Sequence, residues 1–67
     1  MITIAFNGQS REFARSLTVL ELLTQNQVDS RFCAVELNEQ IVPKTEFDSQ
    51  QVVDGDQVEV VTLVGGG

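Results

Sequence analysis

The sequence predicts an α+β domain: a mixed sheet of four to five strands with one main helix packed across one face. Near the start of the chain Ile2, Ile4 and Phe6 alternate with Thr3, Ala5 and Asn7, and near its end the run from Gln57 to Val64 is rich in β-branched residues. A period of two reads as a strand with one buried face. Between them stands Thr18-Val19-Leu20-Glu21, the spacing of a helix capping box. At 67 residues the chain makes one small domain. A chain this short buries only roughly 60% of its extended surface, so the core is thin and a deep cleft is not expected.

The elements follow in order. Ile2, Ile4 and Phe6 form the inward row of the first strand, and Asn7-Gly8 supplies the positive φ angles of a tight hairpin. Gln9 to Ala14 returns as its partner; being polar except for Phe13 and Ala14, it belongs at a sheet edge. Thr18 and Glu21 cap the helix, Leu17 and Leu22 stand where a hydrophobic staple packs, and Val19, Leu22 and Leu23 share one face. The helix fades between Gln25 and Gln27. Cys33, Val35 and Leu37 alternate inward along a third strand, Asn38-Glu39-Gln40 turns, and Ile41-Val42 is a stub that Pro43 ends, having no amide hydrogen to pair. Phe47 anchors a one-turn helix in the polar stretch from Lys44 to Gln51. Asp54-Gly55-Asp56 is a turn into the last strand, rich in β-branched residues. A hairpin, a crossing helix, and a last strand lying parallel beside the first make the β-grasp (ubiquitin-like) topology. Residues 1–64 are expected to be that domain and residues 65–67 a flexible glycine tail.

Composition excludes several functions. Ten acidic residues stand against four basic ones, for a net charge of −6. Nucleic-acid binding needs clustered cations; Arg11, Arg15, Arg31 and Lys44 are scattered among acids. The same balance disfavours anionic membranes and favours partners with basic docking surfaces. The sequence has no His and a single Cys, so no zinc site or His-based triad can be assembled from it, and no metal ligands are assigned. No catalytic residue is assigned either; the expectation is a protein that is not an enzyme. No apolar run approaches the roughly 20 residues of a membrane span, and the N-terminus lacks the pattern of a signal peptide. A cytoplasmic protein, monomeric when free, is expected.

Three of the five glycines are the last three residues. Glycine has no Cβ and is costly to order, so such a tail is mobile and extended. At ~3.3–3.6 Å per residue, three glycines reach on the order of 10 Å, enough to thread a narrow channel in a partner. Chemistry that uses such a tail is carboxylate activation: adenylation makes the Gly67 carboxylate electrophilic, a sulfur nucleophile displaces AMP, and a thiocarboxylate remains. Side chains next to that carboxylate would obstruct its approach to ATP, and glycines do not. Fixing three residues costs roughly 3–6 kcal/mol, so the folded domain must dock through its own surface. If Val58, Val60 and Thr62 face the helix, then Glu59, Val61 and Leu63 face outward, joined by Ala5 of the first strand. These four are the candidate docking patch. Glycines at a chain end are also common in frayed termini; the small β-grasp pattern before them gives these their meaning.

Other residues read as structural. Cys33 could accept a persulfide, but its alternation with Val35 and Leu37 places it inward, where a thiol is an inert small hydrophobe. Asp54 and Asp56 flank Gly55 as turn formers rather than as an acid/base or metal pair.

The chain resembles the sulfur carriers of thiamine biosynthesis, the ThiS family, over essentially its whole length. The resemblance rests on Ile4-Ala5-Phe6-Asn7-Gly8 with Thr18 to Leu23, on Ala34-Val35-Glu36-Leu37-Asn38 running into Ile41-Val42-Pro43-Lys44, and on Asp54 to Val61 followed by the glycines. It implies a non-enzymatic carrier. An E1-like adenylyltransferase uses ATP with Mg to activate the terminal glycine, here Gly67, with Gly66 as its neighbour. A cysteine-derived sulfur donor converts the adenylate to a thiocarboxylate, and a thiazole synthase takes the sulfur. No cofactor is bound by the carrier itself. Gly65 departs from many relatives, which have another small residue there. Two readings remain beside this one: a molybdopterin synthase small-subunit type of carrier, and a ubiquitin-like tag joined to lysines through Gly67. A non-covalent binding module is a third class.

Overall fold

The computed structural model describes residues 1–63. Strand β1 (Ile2–Phe6) pairs antiparallel with β2 (Gln9–Phe13) through a two-residue turn in which Asn7 (φ 50°) and Gly8 (φ 79°) both take the left-handed conformation. Asn tolerates that region and Gly adopts it without strain, which is what a twisted hairpin requires. Strand β2 ends one residue before Ala14 and lies at the sheet edge, as its polar sequence predicts.

A two-residue strand β3 (Leu17–Thr18) leads directly into helix α1 (Val19–Gln25). The helix N-terminus is fully satisfied. The Val19 amide donates to the Gln50 carbonyl at 2.9 Å and the Leu20 amide to the Phe47 carbonyl at 2.8 Å. The Glu21 amide donates to Thr18 Oγ1 at 3.0 Å, while the Thr18 amide donates back to Glu21 Oε1 at 2.8 Å. The capping box read from the sequence is thus complete, and the segment around Phe47 closes the remaining orphan amides. At the other end, Gln27 turns left-handed (φ 61°), its amide donating to Thr24 and that of Val28 to Leu23. This is a Schellman motif with glutamine where glycine is usual.

A 3-10 turn, Ser30–Phe32, precedes strand β4 (Cys33–Leu37). Asp29 caps it, accepting from the Arg31 amide at 2.9 Å. The turn after β4 is Asn38-Glu39 alone, with φ 52° and 69°. Gln40 already pairs with Leu37 in β5 (Gln40–Ile41), so the expected three-residue turn is a residue shorter. The 3-10 turn Lys44–Glu46 presents the buried Phe47 to the core, and β6 (Gln51–Val52) pairs with β3 as a separate two-stranded sheet.

Strand β7 (Gln57–Thr62) is central in the main sheet, whose order is β2-β1-β7-β4-β5. It runs parallel to β1 and antiparallel to β4. It stops at Thr62, short of the expected Val64, because β4 begins at Cys33 directly opposite Thr62. Ile2, Ile4, Phe6, Val35, Val58 and Val60 from the sheet pack with Val19, Leu22 and Leu23 from the helix and with Leu17, Phe47 and Val52. Thr62 has the inward parity of Val58 and Val60 but is exposed, at the last position of the strand. This is the mixed sheet and single crossing helix of the β-grasp. Val64 and the tail residues Gly65, Gly66 and Gly67 lie outside the described residues.

Candidate functional site

The outer face of the sheet follows from the register. Along β4 and β7 the inward residues are Cys33, Val35, Val58 and Val60, so Ala34, Glu36, Glu59 and Val61 point away from the helix. Val61 stands opposite Ala34 and Glu59 opposite Glu36. One step further the same register sets Leu63 against Phe32, and the Leu63 amide donates to the Phe32 carbonyl at 2.6 Å. Val61, Leu63 and Phe32 are 61%, 54% and 53% exposed. They form with Ala34 an apolar strip at the end of β7, next to residues 64–67 in the chain. Ile41, opposite Glu36, is a further exposed apolar residue on this side.

Of the four residues expected to form the patch, the structure brings Val61 and Leu63 together and sets Glu59 next along the strand. It does not bring Ala5 to them. Ala5 pairs with Gln57, four residues down β7 from Val61, about 13 Å along the strand. The sequence placed β1 beside β7 but not their parallel register, and that register offsets the two. Phe32 and Ala34 take the place of Ala5. Phe32 escaped notice because it precedes the alternating run; its even spacing from Ala34 and Glu36 was the available signal.

Charge surrounds the strip. Glu59 and Glu36 are directly opposite each other, an unfavourable like-charge pair in the isolated chain. Arg31 stacks over the Phe32 ring at 5.2 Å and makes a 2.8 Å salt bridge with Asp29. The Arg31 guanidinium holds the Asp29 carboxyl down, from 3.8 to about 2. Lys44 Nζ donates to the Arg31 carbonyl at 2.7 Å.

The remaining candidates are structural. Cys33 is 1% exposed, and burial pushes its thiol pKa up, which suppresses the thiolate that nucleophilic sulfur chemistry needs. Asp54 Oδ1 accepts from the Thr3 amide at 2.7 Å, and Asp56 accepts from the Val53 amide and from Asn38 Nδ2 at 2.8 and 3.1 Å. Both shape the turn before β7. Arg11 donates to Asn26 Oδ1 at 3.0 Å and lies over the Phe6 ring. A depression beside the helix is lined by Leu20, Ser30, Arg31, Lys44, Thr45, Phe47 and Asp48, with no His or Cys among them. Among the described residues no group of three or more potential ligands could hold a metal, and no helix is long and apolar enough to cross a membrane.

Fold and surface together define a ubiquitin-like β-grasp protein with an exposed apolar strip where its central strand ends. A family model described as the ThiS family matches residues 4–67, and the chain belongs to that family. It is 38% identical to the sulfur carrier protein ThiS of Escherichia coli over 96% of this chain and 97% of that protein. A crystal structure of the thiamine biosynthesis protein ThiS from Geobacter metallireducens superposes with a TM-score of 0.85 at 36% identity, covering 98% of this chain and 100% of that one. The chain is also 47% identical to part of a thiazole synthase of Paramagnetospirillum magneticum, over 96% of its own length but only 20% of that protein's.

Proposed function

We propose that this chain is a sulfur carrier for thiazole formation in thiamine biosynthesis, acting in the cytoplasm through the carboxylate of Gly67. The single observation that carries this reading beyond family membership is the exposed strip of Phe32, Ala34, Val61 and Leu63 at the end of the strand that leads to the glycines. Covering apolar surface contributes about 2.5 kcal/mol per 100 Å². Two such areas offset the roughly 3–6 kcal/mol needed to hold three glycine residues in a channel. The folded face supplies affinity, and the glycines carry the reacting group.

In this reading an E1-like adenylyltransferase binds the strip and uses ATP with Mg. The Gly67 carboxylate attacks the α-phosphorus and pyrophosphate leaves. A persulfide on a cysteine-derived donor then displaces AMP to give an acyl disulfide, and a thiol cleaves its S–S bond, releasing the thiocarboxylate and leaving a disulfide on the donor side. The chain itself catalyses nothing, holds no cofactor, and presents Gly67 with Gly65 and Gly66 as its slender approach. Thiazole synthase is the acceptor. A carrier-like segment within a thiazole synthase chain supports that pairing, since two functions joined in one protein act on a common substrate.

Intact-protein mass spectrometry tests the reading directly. Incubation with the E1-like enzyme, ATP and a cysteine-derived sulfur source is expected to exchange one terminal oxygen for sulfur at Gly67. An unmodified mass, with the enzyme competent on another carrier, overturns it. Adducts to protein lysines that survive reducing agents would identify a tag instead.

A further inference from the structure

Strand β7 outruns its parallel neighbour. The ladder between them proceeds regularly as the Ala5 amide donates to the Asp56 carbonyl at 3.0 Å and the Asn7 amide to the Val58 carbonyl at 2.9 Å. In a parallel ladder the next bond would take the Val60 amide to the Asn7 backbone carbonyl. That carbonyl is diverted, because Asn7 turns left-handed to begin the hairpin. The side chain takes over. Val60 donates its amide to Asn7 Oδ1 at 2.7 Å, and Asn7 Nδ2 donates to the Val60 carbonyl at 3.2 Å. A carboxamide carries the same donor and acceptor as a peptide group. Asn7 therefore extends β1 by one surrogate peptide after the chain has left the sheet.

We infer that Asn7 is a positioning residue for the reactive end of the chain: its carboxamide clamps Val60 and so fixes the direction in which β7 runs on towards the activating enzyme. This inference rests on the proposed carrier function. On one side β7 is paired with β4 as far as Thr62. On the β1 side, the Asn7 side chain is the hydrogen-bond partner of Val60 among the described residues. Without it, β7 beyond Val58 is held from one side only, at the point where the apolar strip begins. Asparagine meets two demands at once. It accepts the positive φ of the turn, as Gly or Asp also would, and it supplies both hydrogen-bonding groups, as neither of those does.

The two demands separate by mutation. Asn7→Gly keeps the turn and removes the clamp. Asn7→Asp keeps the turn and an acceptor for the Val60 amide, but has no donor for its carbonyl. The full-length variants are assayed by ATP–pyrophosphate exchange with the E1-like enzyme, varying carrier concentration, alongside amide hydrogen exchange at Val60. The side chains of the docking strip are unchanged, and Val61 and Leu63 keep their pairing with Ala34 and Phe32, so KM stays within about twofold. Misplacement of the carboxylate lowers kcat on the order of tenfold for Asn7→Gly, with Asn7→Asp between it and the native chain. Val60 exchanges faster in both. Val52→Ala, a core change away from β7, is the control for stability alone. Unchanged kcat in a variant whose Val60 exchanges faster overturns the inference. So does an equal loss of kcat in a Val52→Ala protein of matched melting temperature. Should Asn7→Gly not fold, Asn7→Asp reads the same division between KM and kcat. If the native chain supports no exchange with a competent enzyme, the carrier reading itself fails and the positioning role falls with it.

Discussion

Gln27 stands in a left-handed conformation that costs a side-chain-bearing residue roughly 1–2 kcal/mol. The Schellman bonds of the Gln27 and Val28 amides impose it, and glycine would satisfy them without the penalty. Gln27→Gly is therefore expected to raise stability by about 1 kcal/mol even after glycine's larger entropy in the unfolded chain, or about 4–8 °C in Tm for a domain of this size. A thermal melt checks it; a fall in Tm would show that the Gln27 side chain stabilises the loop by contacts that offset the strain. Cys33 tests a different matter. It is buried among core residues with its thiol pKa raised, so it packs rather than reacts. Cys33→Ala is expected to cost about 1 kcal/mol through lost packing while sulfur loading at Gly67 proceeds unchanged. A folded Cys33→Ala protein that fails to load would make the thiol a participant.

The element that matters most is β7, which faces two ways. Its inward row, Val58 and Val60, builds the core, and its outward row, Glu59 and Val61, leads to the apolar strip. Because a strand's faces alternate, the outer residues can change without touching the core. Val61→Asp and Leu63→Asp each place a charge in the strip beside Ala34 and Phe32, and each is expected to weaken binding to the activating enzyme by about tenfold or more while Tm moves little. Ala5→Glu, on the same sheet face but beside Gln57, is expected to leave affinity within about twofold, because the register sets it about 13 Å from Val61 along the strand. Isothermal titration of the three variants distinguishes the strip from the wider patch. Equal losses in all three would restore Ala5 to the docking surface, and no loss in the first two would remove the strip from it.

At the scale of the whole molecule, most of the architecture was legible because the chain's signals are local. Asn7-Gly8, the Thr18–Glu21 box, the alternation from Cys33 and the β-branched run after Gly55 each declare an element within a few residues. What escaped depends on distant partners. The two-residue strands Leu17–Thr18 and Gln51–Val52 are too short for any period and exist only because they meet. The clamp of Asn7 on Val60 spans 53 residues, and the offset of Ala5 from Val61 follows from a register that neither strand encodes alone. The proposed reactive end is the opposite case: Gly65, Gly66 and Gly67 were read from composition and family pattern, and the role proposed for them rests on chemistry. That separation makes a clean test. The core runs from Ile2 to Val60, so a change at the last carboxylate falls seven residues beyond its last member. Amidation of Gly67, or one added bulky residue, is expected to leave Tm within about 2–4 °C of the native value, the shift that about 0.5 kcal/mol makes in a domain of this size. Either change is expected to abolish pyrophosphate exchange, because an amide is no nucleophile towards ATP and a bulky side chain obstructs the approach. Binding through the apolar strip should persist. Full exchange by the amidated protein would mean that the activated carboxylate is not that of Gly67.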